Sequence, residues 1–139
     1  MATVIRPEIS QNNKYYVDKH RYYELKHFCL QYPVWKKAYA ALSECGMKLS
    51  QLTREPSSNV HGDPTANQAI KKIYYAERIK MVEEAAKEAD KELYVYILKA
   101  VTEELSYTYL RTKMDIPCGR DMYYDRYRRF FWVLSKTRE

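Results

Sequence analysis

The stretch SYTYLRTKMDIPCGRDMYYDRYRRFFWVLS, residues 106–135, decides the fold. Ser106 is a good helix N-cap, so a short helix is expected over 107–114. The segment Asp115-Ile116-Pro117 breaks that helix, because proline disfavours helical geometry in the residue before it and has no N–H of its own. A final helix runs from about Gly119 to Ser135. Upstream, Tyr94, Ile97, Leu98, Val101 and Leu105 form the apolar stripe of a helix over 91–104, recapped by Asp90. The order is helix, short helix, turn holding an apolar residue, long helix. That is the outline of a helix-turn-helix, whose last helix enters the major groove of DNA.

At about 100° per residue the last helix separates into faces. Tyr123, Tyr127, Phe130 and Leu134 are spaced 4, 3, 4 and would dock on the two preceding helices. Asp121, Asp125, Arg128 and Trp132 lie opposite. Arg120 and Tyr124 flank one side, Arg126 and Arg129 the other. Arg120, Asp121 and Tyr124 are the candidate base readers: arginine to guanine, carboxylate to the cytosine amine, tyrosine to phosphate or a thymine methyl. Arg111, Lys113, Arg126, Arg128 and Arg129 are candidate phosphate contacts. The competing reading is a solvated charged helix in which Asp125 pairs with Arg128 or Arg129. Trp132, away from the core stripe, would pack on the N-terminal helices or on a second subunit.

Working outward, residues 1–13 read as a polar tail. Asp18 caps a helix over about 18–31, with Tyr22, Leu25, Phe28 and Cys29 at helical spacing. Pro33 opens a second helix that ends near Cys45–Gly46, with Trp35, Ala38, Tyr39 and Leu42 as its stripe. Residues 46–62 read as a long loop. Asp63-Pro64-Thr65 starts a helix that meets no breaker before about Asp90. Within it Tyr75, Ile79, Val82, Ala86, Ala89 and Leu93 follow 4, 3, 4, 3, 4 spacing. Such a heptad seam either lies on the chain's own core or joins a homodimer. No segment alternates with period two. The expected fold is therefore all-α, a helical bundle with a C-terminal helix-turn-helix. The loop divides it into residues 1–62, two helices and the loop, and residues 63–139, the long helix and the helix-turn-helix.

The chain has 139 residues, 24 Lys/Arg against 18 Asp/Glu, and 15 tyrosines. A length of that order suits a core that needs no staples. The net charge of +6 gathers at both ends: residues 1–40 and 111–139 each carry +4, and the middle carries −2. Basic ends suit a polyanion. Three cysteines without a CxxC argue against a disulfide framework and for a reducing cytoplasm. Neither an apolar signal segment nor a membrane-length apolar run is evident, so no membrane partner is expected.

Other chemistry finds less support. Cys118 at a helix N-terminus would have a lowered pKa, but no partner motif accompanies it, and a buried or capping role fits better. His20, His27 and Cys29 share a helix without a second close pair, a weak metal signal. Phosphate-binding glycine loops and paired catalytic carboxylates are missing. The expectation is a protein that is not an enzyme and has no catalytic residue, metal site or cofactor.

The stretch IPCGRDMYYDRYRRFFWVLSKTR resembles the C-terminal helix-turn-helix of the RinA/ArpU-type phage late transcriptional regulators, which are similar to region four of bacterial sigma factors. ADKELYVYILKAVTEELSYTYLRTKMD fits the helices before it. RPEIS, YYELKHFCLQYPVWKKAY and DPTANQAIKKIYYAERIKMVEEAAKE resemble uncharacterised Firmicute phage and prophage proteins, so that broader likeness spans the chain. Against the regulators' pattern, Asp115 replaces the usual turn glycine, Arg111 stands where a small residue is usual, and the turn is one residue longer. The resemblance implies a phage-encoded transcriptional regulator in the bacterial cytoplasm, binding double-stranded DNA near a late promoter and assisting host RNA polymerase. Two other functions suit the size and the tyrosines. One is a phage inhibitor of a host or defence complex (anti-CRISPR-like), acting by protein–protein binding. The other is a small terminase-like DNA-packaging protein.

Overall fold

The computed structural model describes residues 13–52 and 64–138. All regular structure among them is helical: α1 Lys19–Leu30, α2 Tyr32–Leu52, α3 Pro64–Ala89, α4 Tyr94–Glu103, α5 Tyr107–Met114 and α6 Arg120–Thr137. The protein is an all-α helical bundle, as the periodicities require. None of the described helices is long and apolar enough to cross a membrane. Residues 1–12 of the expected tail, most of the loop and the Asp63 cap lie outside the described residues.

Local chemistry sets most boundaries. The Asp18 carboxylate accepts the His20 amide at 3.2 Å, and Ser106 Oγ accepts the Tyr109 amide at 3.1 Å. Two helices differ from expectation. α2 continues through Gly46 to Leu52, since one interior glycine costs only about 1 kcal/mol relative to alanine. α4 starts at Tyr94 instead of Lys91. The Asp90 carboxylate accepts the Glu92 and Leu93 amides at 2.8 and 2.9 Å, holding 91–93 as a turn.

The chain divides into two compact units, residues 1–32 with 81–139, and residues 33–80. The division falls at the α1–α2 junction and inside α3. In the first unit α1 packs on α4 and α6, and α4 on α5 and α6. Tyr22, Leu25, Cys29, Val82, Ile97, Leu110, Phe130, Phe131 and Leu134 are sealed from solvent. Each large apolar side chain buried this way contributes about 1.5–3 kcal/mol. From Val82 onward the heptad seam is spent on this core: Val82, Ala86, Ala89 and Leu93 are all buried. The second unit comprises the remainder of α2 and of α3, where Lys72 Nζ sits 5.3 Å from the Tyr39 ring.

Helix α6 packs on α1 and α4 and is enclosed on more than the expected stripe. Tyr123, Phe130 and Leu134 are buried as the spacing requires, and Tyr127 reaches the Tyr22 hydroxyl at 2.8 Å. Tyr124, Phe131 and Val133 are buried as well. Phe131 packs edge-on against Tyr22, Tyr127 and Phe130 with centroids 5.0 Å apart in each case. Phe131 is covered by Tyr22 of α1, and Tyr124 meets Tyr107 of α5 at 6.3 Å, which extends the buried face beyond the stripe.

Candidate nucleic-acid interface

The candidate site is the end of α5, the turn 115–119 and the first turn of α6. The turn is fixed from inside. Asp115 adopts the left-handed conformation (φ 52°, ψ 47°) in which glycine is usual, and aspartate tolerates it better than most residues. The Ile116 amide donates to the Leu110 carbonyl at 3.1 Å, and its side chain is 1% exposed. The Tyr107 hydroxyl donates to the Cys118 carbonyl at 2.8 Å, tying the start of α5 to the start of α6. Gly119 precedes α6 in an extended conformation with no side chain to cap it. The first-turn amides are therefore left to solvent or to an anion.

Around this turn Arg111 and Lys113 are exposed in the last turn of α5, and Arg120 and Asp121 in the first turn of α6. Among the described residues none of the three cations forms an ion pair. The Arg120 guanidinium lies 5.8 Å from the Tyr107 ring, a weak cation–π contact that orients it without neutralising it. Two exposed residues escaped the sequence reading: Tyr109 on α5 and Met122 on α6, 42% and 43% exposed. Neither stood out in the sequence, since only the packing shows that Leu110 is the buried residue of α5 and that Met122 is turned outward on α6.

The remaining candidates are differently placed. Tyr124 does not flank an open face; it is 9% exposed and its ring meets Tyr123 at 5.2 Å and Tyr107 at 6.3 Å. Arg126 is not a free phosphate contact: its Nε donates to Asp90 at 2.9 Å and its Nη1 to Asp125 at 2.5 Å. Asp125 thus pairs with Arg126, not with Arg128 or Arg129. Arg128 is half-buried without an ion pair among the described residues. Arg129 is half-buried with its Nε enclosed and unpartnered. Trp132 is covered by Tyr15, just ahead of α1, at 5.4 Å, and Lys136 Nζ lies 3.4 Å from its ring.

The electrostatics follow this division. Burial opposes ionisation of Asp90, but the Leu93 amide, the Arg126 guanidinium and the Glu92 amide together outweigh it and hold its carboxyl below the usual range. Hydrogen bonding to Asp90 raises Arg126 in return. Cys118 is not activated by the helix terminus. Burial, with Asp90 adding to it, pushes its thiol up despite the nearby Arg111 and Arg126. A thiol held protonated is a poor nucleophile. Comparison with protein-family models, curated proteins and solved structures finds no match to this chain.

Proposed function

We propose that this protein is a DNA-binding transcriptional regulator that meets duplex DNA with the end of α5 and the first turn of α6. The observation that carries the reading is the set of three exposed cations, Arg111, Lys113 and Arg120, that form no ion pair among the described residues, on the two helices flanking a turn held by the Tyr107–Cys118 hydrogen bond. Helix-turn-helix proteins read bases with the N-terminal residues of the last helix, which here are Arg120 and Asp121. Arg120 would take guanine, and Asp121 a neighbouring cytosine amine. Arg111 and Lys113 would hold phosphates, with Arg128 and the outer nitrogens of Arg129 as further contacts. Tyr124 packs on Tyr107, the ring beside Arg120, and Arg126 is engaged by Asp90 and Asp125. A place near a phage late promoter, with host RNA polymerase as partner in the bacterial cytoplasm, rests on the resemblance of residues 116–138 to the late regulators.

The test is a gel-shift with fragments of the genome that encodes the protein. One fragment should be preferred over competitor at physiological salt, and Arg120→Ala should weaken that preference by about tenfold or more with unchanged thermal unfolding. Equal binding to all fragments would sink the reading. The protein-interface function would then come forward, favoured by the exposed Val34, Ile70 and Ile73 of the second unit.

A further inference from the structure

Grouping charge by compact unit relocates the basic centre of the molecule. Residues 33–80 hold eight Lys/Arg against four Asp/Glu, a net of +4. The unit that carries α5 and α6 holds sixteen against fourteen. Most of the net positive charge therefore belongs to the unit without the turn.

Within residues 33–80 the charge has a structured face. Asn67, Lys71, Tyr74 and Arg78 are spaced 4, 3, 4 on α3 and fall on one side of it. Arg78 is laid over Tyr74: its guanidinium carbon is 3.3 Å from the ring centroid, and Nη1 donates to the Tyr74 carbonyl at 3.2 Å. Tyr75 meets Tyr74 edge-on at 5.4 Å and steadies it. Tyr74 is 46% exposed, and Lys71 is open. Among the described residues neither Lys71 nor Arg78 has a carboxylate partner. A guanidinium held over an aromatic ring keeps outward N–H donors in place, which suits phosphate oxygens.

We infer that this face of α3 is a second polyanion contact, which takes the sugar–phosphate backbone of nucleic acid independently of sequence. Lys71 and Arg78 are about 10 Å apart along the helix axis. That is about three nucleotide steps of a duplex strand at 3.4 Å of rise each. Tyr74 between them supplies a hydroxyl for phosphate and an apolar ring edge for sugar. An anionic lipid surface fits less well, because Glu77 stands on the same side of α3 as the exposed Ile70 and Ile73. The inference shares with the proposed function only the kind of polymer bound.

The experiment uses the full chain and a fluorescent random-sequence duplex, with affinity followed by anisotropy across a salt series. Wild type is compared with Lys71→Ala/Arg78→Ala and with Arg111→Ala/Lys113→Ala/Arg120→Ala. Losing two phosphate contacts should lower the salt slope of the first variant by about 2 and its affinity by about tenfold, while any preference among genomic fragments persists. Unchanged affinity and slope in that variant would overturn the inference and leave the α5–α6 reading standing. A loss confined to that variant, with the triple variant binding like wild type, would uphold the inference and sink the α5–α6 reading. Binding of vesicles containing phosphatidylserine in place of the duplex, abolished by the same two substitutions, would overturn it in favour of a lipid surface.

Discussion

The two ends of α6 carry similar residues and use them oppositely. In the first turn Arg120 is exposed, oriented by Tyr107 and without an ion pair among the described residues. Further on, Arg126 is bound to Asp90 and Asp125, and Lys136 lies over Trp132. At the C-terminus Arg138 pairs with Glu24, while Arg21 donates to the Ser135 carbonyl at 3.0 Å. One helix is thus an open edge at its start and an anchor for the rest of its length. A count of arginines does not give the charge available to a partner; the carboxylates and carbonyls within reach decide it.

The sharpest way to break this contrast is to empty the anchor. Phe131→Ala removes a ring that is fully buried among Tyr22, Tyr127 and Phe130. It should cost about 3–5 kcal/mol by chemical denaturation, whereas Arg120→Ala should stay within about 0.5 kcal/mol. Equal losses from the two would erase the distinction between the ends.

Asp90→Asn tests the anchor's ion pair, 12% exposed on the aspartate side. It should cost about 2 kcal/mol at neutral pH, because Arg126 loses a charged partner. The pH dependence has a definite sign. The folded-state pKa of Asp90 lies below its ordinary value, so its stabilisation is complete above the unfolded value of about 4 and disappears as pH falls through the lower folded value. Acid titration of the unfolding free energy should therefore flatten in the variant over that window. A variant that loses stability on acidification as wild type does would show that Asp90 is not responsible.

Tyr22→Phe is the mildest probe. It removes the 2.8 Å contact between the Tyr22 and Tyr127 hydroxyls and strands the latter. About 1–2 kcal/mol should be lost. Burial already pushes the Tyr127 hydroxyl well above its usual range, so it stays protonated and in need of a partner across ordinary pH. Tyr22→Phe/Tyr127→Phe should recover part of the loss, since no hydroxyl is then left unpaired.

Much of this fold was legible because it is local. Ser106 and Asp18 sit at their caps, and the 4, 3, 4 spacing of α6 marks Tyr123, Phe130 and Leu134 as core. What stayed hidden depends on residues distant in sequence. Tyr124 read as an open flank because the ring that covers it, Tyr107 of α5, lies 17 residues away. Arg126 read as a phosphate contact because its partner, Asp90, is 36 residues away. Trp132 left its cover undecided until Tyr15 was found on it. For the candidate interface, Arg111, Lys113, Arg120 and Asp121 are open where the phase places them, whereas Tyr109 and Met122 emerged only with the packing.

The most direct test of the open edge is the salt dependence of duplex binding in Arg111→Ala/Lys113→Ala/Arg120→Ala beside Lys136→Ala. Both sets alter exposed cations, so thermal unfolding should change little in either. The triple variant should lose about 3 from the slope of log affinity against log salt, at about one contact each, while Lys136→Ala should retain the wild-type slope. A triple variant that stays folded and keeps the wild-type slope and affinity would contradict it.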